Sequence, residues 1–317
     1  VRFIADMNLQ RADVFSQSIS SVSLYVYDEN DALAMKRIMA QSQMRSGNSY
    51  QMDISDLPAG HYKLIAWAEL SDNNSFSFND ATRDPLQIEE MTLRLKKNTR
   101  ADDGESDENE VIDYALDPLY HGMGEITIYD DELGGDHQVD IHLTNNIKDI
   151  TVLLQQVNGD EIKASDYTFT VEANNGHINY DNSLIYDDEP LHYTAYAKSQ
   201  ISADLSVLDN TRAGEKSAAV LAYVNTARLV EENDWRTVTR PMLSVTEVST
   251  GNVILKIPLI DYALLVRSKY NASMDTQEYL DRMSEINLTL FLNGNRWINN
   301  VVVINSWKIV INDDDFK

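Results

Sequence analysis

Hydrophobic and polar residues alternate with a period of two along most of this chain, the pattern of strands whose side chains point to opposite faces. Ser21-Val22-Ser23-Leu24-Tyr25-Val26-Tyr27 sets Val22, Leu24 and Val26 on one face and Tyr25 and Tyr27 on the other. Asp28 to Asp31 is a turn cluster, and Ala32 to Met39 is predicted to return as the hairpin partner. Tyr50 to Ile54 alternates again. Leu57-Pro58-Ala59-Gly60 reads as a turn, because Pro presets φ and Gly permits positive φ. In the next strand Tyr62, Leu64, Ala66 and Ala68 oppose Ile65 and Trp67. Apolar groups on both faces predict a central strand.

Alternation resumes from Leu86 to Leu95, at Glu125 to Tyr129 and from His137 to Leu143. Between these, residues 98–113 are acidic and nearly devoid of apolar groups, which predicts a solvated excursion. A fresh set of strands begins at Ile147, so we place a domain boundary at Asn145-Asn146 and expect domains 1–146 and 147–317. The second holds predicted strands at Ile147 to Val157, Tyr167 to Ala173, Leu191 to Ala197, Ala218 to Leu229, Met242 to Val248 and Val253 to Leu259. Trp297 to Ile304 and Trp307 to Ile311 close the chain as strands. One helix is predicted from Asp275, an N-cap residue with Glu278 three positions on and an apolar stripe of Tyr279, Leu280 and Met283. A stretch from Asp261 fits helix and strand equally. Many short strands with turns at short spacing define an all-β chain of β-sandwich type.

Composition removes several functions. There are 51 Asp plus Glu against 26 Lys plus Arg, a net charge of −25. A nucleic-acid binder needs clustered cations to neutralise phosphates, and none are clustered here. An anionic membrane surface would repel such a chain, so membrane attachment requires a covalent anchor or a partner. With no cysteine there is neither a thiolate nucleophile nor a disulfide. No nucleotide-binding glycine motif and no Gly-x-Ser-x-Gly elbow occur. We therefore expect no catalytic residues, no cofactor and no metal.

Candidate chemistry is thin. His137 and His142 flank Asp140, but on a strand His137 points away from the other two, so a metal site is disfavoured. The acidic run Asp102 to Glu110 lacks EF-hand spacing. Of four tryptophans, Trp67 and Trp307 lie in alternating apolar strands and are predicted to be core, whereas Trp235 sits among Glu231, Glu232, Asn233, Asp234 and Arg236. Trp235 is thus the candidate for stacking on a sugar ring, and a carbohydrate-binding module or tip adhesin is the alternative function.

Five fragments, in order, carry a family resemblance: Ser23-Leu24-Tyr25-Val26-Tyr27-Asp28; Leu57 to Trp67; Leu119-Tyr120-His121-Gly122; Gln277-Glu278-Tyr279-Leu280-Asp281-Arg282; and Asn305-Ser306-Trp307-Lys308-Ile309-Val310. Together they resemble the FimB-type fimbrial anchor subunits of Bacteroidales, relatives of fimbrillin. The resemblance implies two tandem transthyretin-like β-sandwich domains and a non-enzymatic cell-surface role: holding and limiting a fimbria through β-edge contacts with stalk subunits. It also implies an outward-facing outer-membrane lipoprotein, tethered through an N-terminal cysteine. The chain opens in mid-pattern at Val1 without that cysteine, which we expect to lie upstream. Stalk relatives donate a C-terminal strand to a neighbour. Here the acidic Asn312-Asp313-Asp314-Asp315-Phe316-Lys317 follows the last apolar strand, and the expectation is that this subunit does not donate.

Overall fold

The computed structural model describes residues 1–97, 111–130, 138–186, 190–205, 216–232, 239–267 and 271–311. They form four β-sheets with a few short helices, an all-β architecture.

The first half builds an eight-stranded sheet. Its spatial order is Leu33–Ala40, Ser21–Tyr27, Gly60–Ala68, Tyr120–Ile128, Asp140–Asn145, Arg2–Met7, Ser49–Gln51 and Arg45–Ser46. Neighbours are antiparallel except Arg2–Met7 and Asp140–Asn145, which run parallel. Gly60–Ala68 lies between two ladders, pairing Leu64 with both Val26 and Gly124. Its two apolar faces therefore each find a core. Val22, Leu24, Val26, Tyr62, Leu64 and Ala66 pack with Phe3, Phe15 and Ile141 in one cluster. Tyr25, Tyr27, Ile65 and Trp67 face a second cluster with Phe76, Met91 and Leu93. Trp67 is fully buried, and its indole N–H donates to Met91 Sδ at 3.3 Å.

Residues after Asn146 supply all of one further sheet and four of the five strands of another. One has the order Ala197–Asp204, Lys216–Ala227, Ile147–Gln156, Glu285–Asn293, Val301–Ile304 and Trp307–Val310, with Arg296–Trp297 also paired to Glu285–Asn293. The other runs Val253–Pro258, Met242–Glu247, Tyr167–Ala173, Leu191–Thr194 and Val111–Ile112. Their facing side chains, among them Val152, Leu154, Val224 and Leu288 against Phe169, Val171 and Val245, share the second cluster. A small sheet of His177–Asn179, Thr92–Leu95 and Phe76–Phe78 joins strands from both parts of the chain. The cluster that begins at Tyr25 thus continues without a break to Ile304.

Several expectations need correction. Val111–Ile112, inside the acidic segment, pairs parallel with His192–Tyr193, and Ile112 is buried. The single strand read at Leu191 to Ala197 is two: Leu191–Thr194 belongs to the five-stranded sheet and Ala197–Asp204 to the seven-stranded one. The ambiguous stretch forms the helix Leu259–Leu264. Asp275 caps the helix Thr276–Arg282, accepting from the N–H groups of Gln277 and Glu278, but the Glu278 carboxylate accepts from Arg282 Nε at 2.8 Å rather than closing a capping box.

Candidate functional site

The tryptophan prediction reverses at Trp307. Its side chain is 66% exposed on the terminal strand of the seven-stranded sheet, not in the core. An edge strand is covered on one side only, so its alternation does not guarantee burial. Trp235 falls outside the described residues, as do Asp102 to Glu110, His137 and Asn312 to Lys317. His142 is exposed and lies 2.7 Å from the Asp6 carboxylate through Nδ1. Among the described residues, no three His, Asp or Glu side chains approach closely enough to hold a metal ion. No described helix is long and apolar enough to cross a membrane.

Trp307 is displayed by a tight hairpin. Strands Val301–Ile304 and Trp307–Val310 are joined by Asn305 and Ser306, with φ of 46° and 71°. Two-residue hairpin loops of type I′ require positive φ at both positions, and Asn tolerates this better than Ser. The Asn305 side chain holds the turn against the neighbouring strand: Oδ1 accepts from Asn287 N at 2.8 Å, and Nδ2 donates to Glu285 O at 3.4 Å. The sequence signal was Asn-Ser between two apolar runs. Beside the turn a cleft of 310 Å³ is lined by Gln10, Arg282, Ser284, Glu285, Asn287 and Ser306.

A second concavity opens in the first half. Along Glu125–Ile128 the strand Tyr120–Ile128 pairs with Gly60–Ala68, whereas its ladder to Asp140–Asn145 spans only Tyr120 and His121. Near the end of this strand lies a groove of 710 Å³, lined by Met39, Met44, Met52, Ile54, Ile126 and Ile128 together with Gln43, Gln51, Asp53 and Gln138.

Where the halves meet, polar groups are buried and satisfied. Lys148 is fully buried and donates to Leu280 O at 2.7 Å and Asp281 O at 3.2 Å, capping the end of the helix. Desolvation lowers its pKa to about 8. His121 lies against Trp67, ring centroids 4.5 Å apart, and its Nε2 donates to Tyr180 O at 2.8 Å. Burial lowers its pKa to about 4. Asn146 and Asn182 exchange side-chain hydrogen bonds of 2.6 and 3.1 Å. Every one of these groups is spent on holding the junction together.

Comparison with known proteins identifies the family of the chain. The model of the fimbrillin-A associated anchor proteins Mfa1 and Mfa2 matches residues 1–313. The chain therefore belongs to this family of fimbrial anchor proteins. A candidate adhesin of Bacteroides thetaiotaomicron is similar at 30% identity, covering 98% of this chain and 96% of that one, with a TM-score of 0.80. A candidate polysaccharide-binding protein of the same species is similar at 26% identity, over 99% and 98%, with a TM-score of 0.77. The fimbrial anchor protein Mfa2 from Porphyromonas gingivalis shares the fold at 14% identity, over 98% and 97%, with a TM-score of 0.63. No curated protein matches the chain. The protein is a fimbrial accessory subunit of the cell surface, with protein partners in the fimbria.

Proposed function

We propose that this subunit fixes the base of a fimbria to the outer membrane and limits its length, without catalysis. In this reading the precursor carries a lipid on an N-terminal cysteine upstream of Val1, and domains 1–146 and 147–317 form the body of the anchor. The observation that carries the reading is the family match over residues 1–313. The groove beside Met39 and Ile128, lined by apolar side chains and by Gln43, Gln51, Ser55 and Gln138, supports it, since an extended segment of a stalk subunit could lie there with alternate side chains in the groove.

The half-buried Met39 and Ile128 make the test possible. Full-length protein immobilised on a surface should capture purified fimbriae of the same cells, and Met39→Glu with Ile128→Glu should abolish capture while the thermal midpoint stays close to wild type. Equal capture by the double variant would refute docking in the groove. Labelled palmitate fed to cells should enter the precursor; a precursor that takes up none is not a lipoprotein.

A further inference from the structure

Two buried hydroxyls on one face of the eight-stranded sheet lack an internal partner. Ser23 and Tyr25 are each 2% exposed, yet neither hydroxyl hydrogen-bonds to another of the described residues. Buried polar groups are nearly always paired, so an exception calls for a reason. Neither oxygen is sealed from solvent, and both residues line one cleft of 410 Å³. Their placement follows from the strand pattern. Ser23 and Tyr25 lie two positions apart in Ser21–Tyr27 and share a face. On the outermost strand, Leu33–Ala40, Ile38 stands opposite Ser23 and Lys36 opposite Tyr25, so all four side chains occupy that face. Lys36 and Ile38 line the same cleft.

The opposite wall comes from the small sheet and the segments around it. Phe78, on the outer strand of that sheet, meets Tyr25 edge-on with ring centroids 5.6 Å apart. Lys96 sends its ammonium to Asn73 O at 3.1 Å, and both residues line the cleft. Asp84 accepts from Lys36 Nζ at 2.5 Å, and Arg83 is held by Asp80 and Glu90, each at 3.1 Å. Lys96 is thus the one cation of the wall without a carboxylate partner among the described residues.

These groups specify a ligand. One uncommitted ammonium matches one carboxylate, whereas a phosphate dianion wants several cations and would face Asp84. Burial and the nearby Asp84 carboxylate hold the Tyr25 hydroxyl well above its ordinary range, so it stays protonated and donates. Asp84 only accepts, and needs a ligand with hydroxyl donors of its own. Ile38, 46% exposed, and the partly buried Phe78 offer an apolar wall to the C–H face of a ring. The volume lies within the range of ligand sites, about 300 to 1,000 Å³. Charges farther off than about 8 Å are screened at physiological salt, so the chain's −25 counts against a long polyanion more than against one carboxylate seated on Lys96.

We propose that this cleft binds a single acidic sugar residue of the sialic or uronic class. Its carboxylate sits on Lys96, its hydroxyls bond to Ser23, Tyr25 and Asp84, and its C–H face lies against Ile38 and Phe78. Ile38 and Met39 are consecutive in one strand and point to opposite faces, so this cleft and the groove that Met39 lines are separate. The site stands or falls independently of the anchoring role.

The test is calorimetric titration of the purified chain at neutral pH with 3′-sialyllactose and methyl glucuronide. Each is paired with its neutral counterpart, lactose or methyl glucoside, and hexaglutamate and inorganic phosphate serve as the other anions. At least one acidic sugar should bind saturably, and its neutral counterpart roughly tenfold more weakly, as loss of a charge-assisted contact implies. Lys96→Met should erase that preference. Tyr25→Phe keeps the ring against Phe78 and should weaken binding roughly tenfold, the effect of one lost hydrogen bond to a charged partner. Its thermal midpoint should stay at or above wild type, because the hydroxyl has no internal bond to lose. Binding of neither acidic sugar overturns the proposal. So does affinity that both variants leave unchanged, a neutral sugar that binds as well as its acid, or tighter binding of phosphate or of hexaglutamate, the latter marking a protein partner instead.

Discussion

Arg228 grips Asp281 with a two-point fork: Nε donates to Oδ1 and Nη2 to Oδ2, both at 2.7 Å, and the side chains are only 12% and 11% exposed. Asp281 sits in the last turn of the helix Thr276–Arg282, and Arg228 follows the long strand Lys216–Ala227. The third guanidinium nitrogen donates to Asn182 O, and Asn182 bonds Asn146 at the point where one sheet ends and the next begins. One ion pair thereby ties a strand, a helix and the crossover between halves.

Breaking one partner of a buried pair leaves the other charge stranded, which typically costs about 3–5 kcal/mol. Asp281→Ala is predicted to lose stability of this order in urea denaturation. The double variant Arg228→Met with Asp281→Leu should recover much of it, because replacing both charges removes the desolvation penalty along with the attraction. Equal losses in the single and double variants would contradict this account of the junction.

His121 gives the junction an acid limit. Burial holds its pKa down at about 4 from an ordinary 6.5, against the raising effect of the Tyr180 carbonyl, Asp181 and Asp281; Arg228 adds to the lowering. Between pH 6.5 and about 4 the unfolded chain takes up a proton here that the folded chain refuses. Stability from this group is therefore complete above pH 6.5 and lost as pH falls toward 4, by roughly 3 kcal/mol at most. His121→Gln should flatten this part of the stability-against-pH curve relative to wild type. An identical slope in the variant would show that other groups set the acid limit.

Gly122 marks a close approach within the eight-stranded sheet. A Cβ there would lie 2.5 Å from Ile141 Cγ2 and 2.6 Å from His142 O. The carbonyl is backbone in the parallel partner of Arg2–Met7 and cannot yield as a side chain does. Gly122→Ala is predicted to cost about 1–3 kcal/mol, as overpacking does. At Gly124 the nearest atom would be Val139 Cγ2 at 3.2 Å, a side chain with room to adjust. Gly124→Ala should be the milder change by thermal melting, and the reverse order would contradict the packing described.

Much of the architecture was legible because strand alternation leaves its mark wherever both faces are filled. Val22, Leu24 and Val26 enter one core, and Tyr25 and Tyr27 enter the other, as their spacing implied. The same logic failed at Trp307, because an edge strand alternates like a central one while only one flank is covered. It also missed the break at Ala195–Tyr196, where the chain changes sheets without a glycine or proline to announce it. The Arg228–Asp281 pair spans 53 positions and belongs to no local pattern. The cleft at Asn305–Ser306 draws Gln10 from the far end of the chain, a proximity that only the fold creates.

The anchoring role is tested most directly in the cells that make this protein. Electron microscopy of a strain lacking its gene should show fimbriae shed into the medium and altered in length, with attachment and length restored by the wild-type gene. Fimbriae that stay on the deletion strain at wild-type length would contradict the role.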